Sequence, residues 1–357
     1  MSKFIELPIQ IDDIGCVTDC WIYNRLAIIK TSPFYSDWIA SHYDLLSMDH
    51  NNIFFGDISL YPPSYHDSIL LRKQLLLSQF TKANIIKRIK ECIENGYYVI
   101  ITLKQYSDRD FYHEVLIYGF DDNKSVLLTV GLDKNRFKKI NFNYNYLEST
   151  IENIKNFFFT ENLEKGLHLS LYYQYPVTAL KLNPSYTPDN CAFEAYSKLQ
   201  NEYCGDILEI KTPNGFSEYK FNQLRFKGLS CLDAFKQALE KRLNGENFGE
   251  WFRGIISLSN KLREHHLMIL HSMKYISKKW EIAFDNSAKT YMDQYKDCCQ
   301  TIEKWVILCI KFEVTKDARL LRHITEEVPT VFTKEKEILG KFLYNSFDIE
   351  KFNYYYI

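Results

Sequence analysis

The 357-residue sequence lacks a net charge of either sign: 44 Lys and Arg stand against 45 Asp and Glu, leaving −1. That removes the broad electrostatic basis for binding nucleic acid or an anionic membrane. It also lacks any apolar run near the roughly 18 residues needed to cross a bilayer. Asp12 and Asp13 stand where the apolar core of a secretory leader would lie. A cytoplasmic protein with reduced cysteines is therefore expected. Nine cysteines occur, at 16, 20, 92, 191, 204, 231, 298, 299 and 309, with no C-x-x-C pair, so no structural zinc site is expected. No G-x-x-x-x-G-K-[ST] loop occurs, so nothing marks a nucleotide-driven reaction.

What the sequence does hold is a globular balance, 46% hydrophobic and 25% charged, which excludes intrinsic disorder and fibrous repeats. At roughly 150 residues per domain, the length predicts two domains, each able to bury a core. The first half reads as mixed α and β. Thr18 or Asp19 caps a helix from Cys20 to Ile29, with Trp21, Ile22, Arg25, Ile28 and Ile29 near helical spacing, and Pro33 stops it. A second helix is expected from about Ser36 to Met48. A third, Asn84 to Asn95, carries Ile85, Ile86, Ile89 and Ile93 and ends at Gly96. Strand signals follow at Tyr97 to Leu103, Tyr112 to Phe120 and Ser125 to Gly131, the last two joined by Asp121 to Lys124 as an antiparallel hairpin. A helix is expected over Tyr146 to Phe159 and a strand over His168 to Tyr175. The tract from Pro176 to Asp189, with Pro184 and Pro188, is the expected domain boundary. Beyond it the periodicity is helical: Ala192 to Glu202, Cys231 to Leu243, Gly249 to Lys278, Trp280 to Lys311 and Ala318 to Phe347.

One order of residues in the first domain has a mechanism. Gln10 precedes Cys16 by six residues, and His113 follows far downstream at a strand start. A thiol attacks only as thiolate, which a helix N-terminus and a nearby imidazolium both favour. The imidazole must come from another element, and a Gln side chain beside the Cys backbone amide would form an oxyanion hole.

These residues resemble the papain-like fold in its compact bacterial versions: Gln10 with Cys16, and His113 leading an apolar strand into Gly119, Phe120 and Asp121. Double-glycine leader peptidases share the pattern. The chain is more similar to the butirosin-type acyltransferases, including amide-forming enzymes of thiotemplated pathways such as that to closthioamide. The run from Gly228 to Ala234, and Arg263 with His266 and Leu267, look like that family's second domain. The resemblance implies an α+β architecture. A papain-like, cysteine-protease-like domain would occupy residues 1–180, and an all-helical domain over 190–357 would close one side of the cleft. It also implies an acyl-carrier-protein partner whose phosphopantetheine thioester donates the acyl group. An amine acceptor receives it to form an amide in natural-product (antibiotic) biosynthesis, with no metal or organic cofactor in the enzyme itself.

At the third catalytic position the chain departs from the pattern. The small relatives carry Asp-Pro there, where this chain has Thr129, with Asp133 four residues later. Either Asp133 reaches back or Cys and His act as a dyad. Cys20, one helical turn after Cys16, is the rival nucleophile, but Trp21 crowds it and Gln10 lies ten residues away. The same residues could serve a peptidase, a thioester hydrolase or a non-catalytic carrier-protein-binding module.

Several conspicuous residues have plainer explanations. Asp121 and Asp122 suit a turn, and Glu114 alternates to the strand face opposite His113. His265 and His266 point about 100° apart on a helix, which suits an interhelical or solvated role better than chelation. Cys298 and Cys299 read as packing. Lys82, Lys87, Arg88 and Lys90 form a basic helix face, read as exposed surface with carrier-protein docking as the lesser alternative.

Overall fold

The computed structural model describes residues 2–12, 20–42, 47–49, 69–104, 112–133, 136–156, 177–210, 223–245 and 254–356. Along them run β1 (Phe4–Glu6), α1 (Cys20–Ile29), α2 (Tyr35–His42), β2 (Ser47–Asp49), β3 (Leu70–Gln74), α3 (Ile85–Glu94), β4 (Tyr98–Lys104), β5 (Tyr112–Asp121) and β6 (Val126–Asp133). Next come β7 (Arg136–Asn143), α4 (Tyr144–Asn156), β8 (Val177–Leu182), α5 (Cys191–Cys204), β9 (Asp206–Ile210) and β10 (Gln223–Lys227). Five helices follow: α6 (Ser230–Leu243), α7 (Gly254–Lys279), α8 (Ser287–Thr315), α9 (Ala318–Gly340) and α10 (Ile349–Tyr356), with a π-turn over Lys341–Asn345. The chain is α+β, mostly helical, and no helix among the described residues is long and apolar enough to cross a membrane.

Internal contacts divide the chain into two units, Met1–Tyr35 with Leu60–Thr187 and Ser36–Ser59 with Pro188–Ile357. The break after Thr187 falls inside the Pro176 to Asp189 tract. The second unit also takes in Ser36–Ser59, which continuity along the sequence had assigned to the first.

In the first unit a seven-stranded antiparallel sheet has the order β3-β8-β4-β5-β6-β7, with β1 pairing the far half of β5. Ile85, Ile89 and Ile93 of α3 and Leu147, Ile151 and Ile154 of α4 share one core with Val99, Ile101, Leu103, Val115 and Ile117. Side chains alternate along a strand, so these odd-numbered residues of β4 and β5 define one face of the sheet. The other face takes α1. Arg25 pairs with Glu114 at 2.8 Å, the Asn24 side chain donates to the Glu114 carbonyl at 3.2 Å, and Tyr23 stacks on Phe137.

Gly119 is required where β1 crosses β5. A Cβ there would lie 2.3 Å from the Ile5 carbonyl oxygen and 2.9 Å from Leu128. Gly119→Ala is expected to lower the unfolding free energy by about 1–3 kcal/mol, read by urea denaturation; an unchanged midpoint would contradict this close approach.

The second unit is built on one core shared by α5 to α10, but it is not all-helical: β2, β10 and β9 form a three-stranded antiparallel sheet. This corrects the expected all-helical domain. It also explains why the single helix expected over Ser36 to Met48 is α2 followed by β2, since pairing of Ser47–Asp49 with β10 overrides local propensity. β7 and β8 are among the other elements that went unforeseen. β7 is an edge strand whose Arg136, Lys138 and Lys139 blur its alternation. β8 occupies part of the tract read as a linker. The strand expected over His168 to Tyr175 lies outside the described residues.

Candidate functional site

The sequence-selected residues collect around α1 and the start of β5. Segment 7–12 lies along α1. The Leu7 amide donates to the Tyr118 carbonyl, the Tyr98 hydroxyl donates to the Pro8 carbonyl, and the Gln10 amide donates to the Ala27 carbonyl at 3.0 Å. Asn24 meets Glu114, while Ala27 meets the segment that has just left Tyr118. α1 therefore runs with its N-terminal end toward the His113 end of β5. Cys20, its first residue, lies about 6 Å along the axis before Asn24, which sets it level with the first residues of β5. Cys16 lies outside the described residues.

His113 is half-buried and pairs across the ladder with Leu103. Because Glu114 turns to α1, alternation gives His113 the face of Leu103 and Val115.

The hairpin register sets the two candidates for the third position at different levels along β5. Ile117 pairs with Thr129 and Leu116 with Val130. Thr129 thus sits four residues from His113, about 13 Å along the strand. It is fully buried, and its hydroxyl donates to the Ile140 carbonyl at 2.7 Å. Continued three residues further, the same register brings the backbone of Asp133, the last residue of β6, level with His113.

Gln10 is exposed, and its backbone is fixed beside Ala27, seven residues or about 10 Å along α1 from Cys20. The next residue, Ile11, accepts the hydroxyl of Tyr23, in the first turn of α1, at its carbonyl at 2.8 Å. The Gly119, Phe120 and Asp121 signature is structural as well. Gly119 admits β1, Phe120 is core, and the Asp121 carboxylate accepts the Asn123 and Lys124 amides of the turn. The Arg25–Glu114 pair was missed in the sequence, although an Arg in an apolar helix and a Glu in an apolar strand were its signal; their side chains are 11% and 8% exposed.

In the second unit, the motif histidine His266 is buried and bonded to Glu335, which also accepts the Tyr295 hydroxyl. Its neighbour His265 bonds Glu202 at 3.0 Å. Burial opposes charge on His266, but the Glu335 charge and hydrogen bond outweigh it and hold the pKa above the ordinary histidine value. This site ties α7 to α9, α8 and α5 and is structural. Burial pushes the thiols of Cys298 and Cys309 up to about 12 and raises that of Cys299, so these sulfurs are inert packing groups. On the basic helix face, Lys90 is committed to Asp122 and Lys87 faces Glu91. Among the described residues, the ligand atoms of His42, Cys191 and Glu194 lie within 4.8 Å of one another.

No protein-family model matches the chain, and no curated protein matches its sequence.

Proposed function

We propose that the chain is a cysteine-dependent acyltransferase whose first unit is papain-like and which forms an amide from a carrier-protein thioester. The observation that carries this reading is the docking of α1 on β5, with the N-terminal end of the helix directed to the His113 end of the strand. The thioester donor and carrier-protein partner come from the likeness of the sequence to butirosin-type acyltransferases.

In this mechanism the Cys16 thiolate attacks the thioester carbonyl, and the pantetheine thiol leaves with the proton given up by the His113 imidazolium. The acyl group is then held on sulfur. An amine attacks the acyl-enzyme, His113 takes the amine proton, and the amide departs as the thiol is regenerated. Asp133, whose backbone falls level with His113 when the register is continued, would orient the imidazole. The amides at the start of α1, which have no partner within the helix itself, would supply oxyanion donors. Gln10, anchored beside Ala27, holds segment 7–12 on α1.

Single-turnover acyl transfer from a loaded carrier protein to an amine tests these roles. His113→Ala is expected to slow amide formation by about 10²–10⁴-fold, the usual worth of a general base. Gln10→Ala is expected to change acylation less than about threefold, whereas losing an oxyanion donor costs about 10²–10³-fold. Full activity in His113→Ala would remove the mechanism. Cleavage of a peptide without amide synthesis would move the protein to the peptidases.

A further inference from the structure

We infer that His42, Cys191 and Glu194 form a zinc-class metal site in the second unit, separate from the thiol chemistry of α1. His42 is the last residue of α2. Cys191 is the first residue of α5, and Glu194 follows three positions later, on the same side of its first turn. The ring nitrogen, sulfur and carboxylate oxygen lie within 4.8 Å of one another, and His42 Nε2 is 3.8 Å from Glu194 Oε2. Around a tetrahedral zinc, with bonds of 2.0–2.3 Å, two ligand atoms stand about 3.3–3.6 Å apart. The His42–Glu194 pair stands within about 0.5 Å of that spacing, and no ligand pair, at up to 4.8 Å, has to close by more than about 1.5 Å.

The surroundings prepare the ligands. Ser41 Oγ lies 2.9 Å from the Asp37 carbonyl and 3.1 Å from the Trp38 carbonyl and spends its one proton there. Its oxygen is left to accept the Nδ1 proton of His42, at 2.7 Å. That tautomer leaves the Nε2 lone pair facing Cys191 and Glu194, the arrangement in which a metal-binding histidine is held by a hydrogen bond on its other nitrogen. The Trp38 indole stacks on the imidazole at 5.5 Å and 6°, fixing the ring plane. Charge balances too. A thiolate and a carboxylate neutralise a dication, and the carbonyl end of α2 favours a cation while the amide end of α5 favours the anionic sulfur. One sulfur, one imidazole and one carboxylate suit zinc better than calcium or magnesium, and three protein ligands leave a fourth position for solvent.

The sequence concealed this site because His42 and Cys191 are remote in the chain and only Cys191 and Glu194 share a local spacing. The test uses the full-length, reduced, metal-stripped protein titrated with Co²⁺ and then Zn²⁺. A thiolate-to-cobalt charge-transfer band should saturate at one equivalent per chain and be bleached by Zn²⁺. Cys191→Ser should abolish the band. Glu194→Gln, at an exposed side chain that leaves folding intact, should keep the band and weaken Co²⁺ binding at least about tenfold. Ser41→Ala should weaken it by about 10–100-fold, the usual cost of losing a partner of a ligating histidine. The assignment is overturned if no saturable band forms, if the band survives Cys191→Ser, or if Glu194→Gln binds as tightly as the natural protein.

Discussion

Replacing Glu335 by alanine is expected to destabilise the second unit by about 3–5 kcal/mol, the cost of breaking a buried pair from one side. Glu335 is 0% exposed and takes hydrogen bonds from both His266 and Tyr295, so its loss leaves a buried imidazole and a buried phenol without their acceptor. The stability also depends on pH. The folded-state pKa of His266 is raised, so its contribution is fully present below the unfolded value of about 6.5 and is lost as pH rises through the folded value. The advantage of the natural protein over Glu335→Gln should therefore be larger near about pH 6 than near about pH 8 in urea unfolding. A loss under about 1 kcal/mol, or an advantage that grows with pH, would contradict the assignment of Glu335 as the central acceptor.

The second large effect is expected at Arg25 and Glu114, the pair that seats α1 on β5. Glu114→Ala leaves the Arg25 guanidinium facing a buried sheet surface, at a cost of about 3–5 kcal/mol. Replacing both residues by apolar ones of similar volume should recover most of that, since the desolvation of two charges disappears with them. Function should not recover in parallel. The pair fixes where the first turn of α1 meets the end of β5, and a displacement of about 1 Å between reacting groups costs about 10²-fold in rate. A double variant as stable as the natural protein but slower in acyl transfer is the expected outcome. Parallel loss and recovery of both properties would make the pair a stabiliser with no positioning role.

Legibility in the sequence followed the range of the forces involved. The bounds of α1 could be read because Pro33 and a continuous apolar run act within a few residues, and α3 because Ile85, Ile89, Ile93 and Gly96 carry its period and stop. β4, β5 and β6 are rich in β-branched and apolar residues and announce themselves. β7 does not, because an edge strand keeps its charges, and β2, β9 and β10 exist only through pairing between distant segments. The helix expected from Trp280 starts instead at Ser287, since Trp280, Ala283 and Phe284 are core residues that look helical by composition.

The site followed the same rule. His113 could be singled out by type and order, but how Thr129 and Asp133 stand relative to it depends on a ladder register that no local pattern encodes. The bond from the Gln10 amide to the Ala27 carbonyl was not legible either, because spacing to Cys16 says nothing of where the preceding segment meets α1. The Gly119 to Asp121 run carried the family resemblance, with Asp121 expected in a turn; Asp121 does bond the turn amides, while the close pairing of β1 at Gly119 was not legible.

The most direct measurement is intact mass of the protein after incubation with an acyl-loaded carrier protein, alongside Cys16→Ala and Cys20→Ala. The account predicts one acyl adduct on the natural protein and on Cys20→Ala, none on Cys16→Ala, and its discharge when an amine is added. An adduct retained in Cys16→Ala and lost in Cys20→Ala would transfer the chemistry to the first residue of α1. No adduct on any of the three would contradict acyl transfer itself.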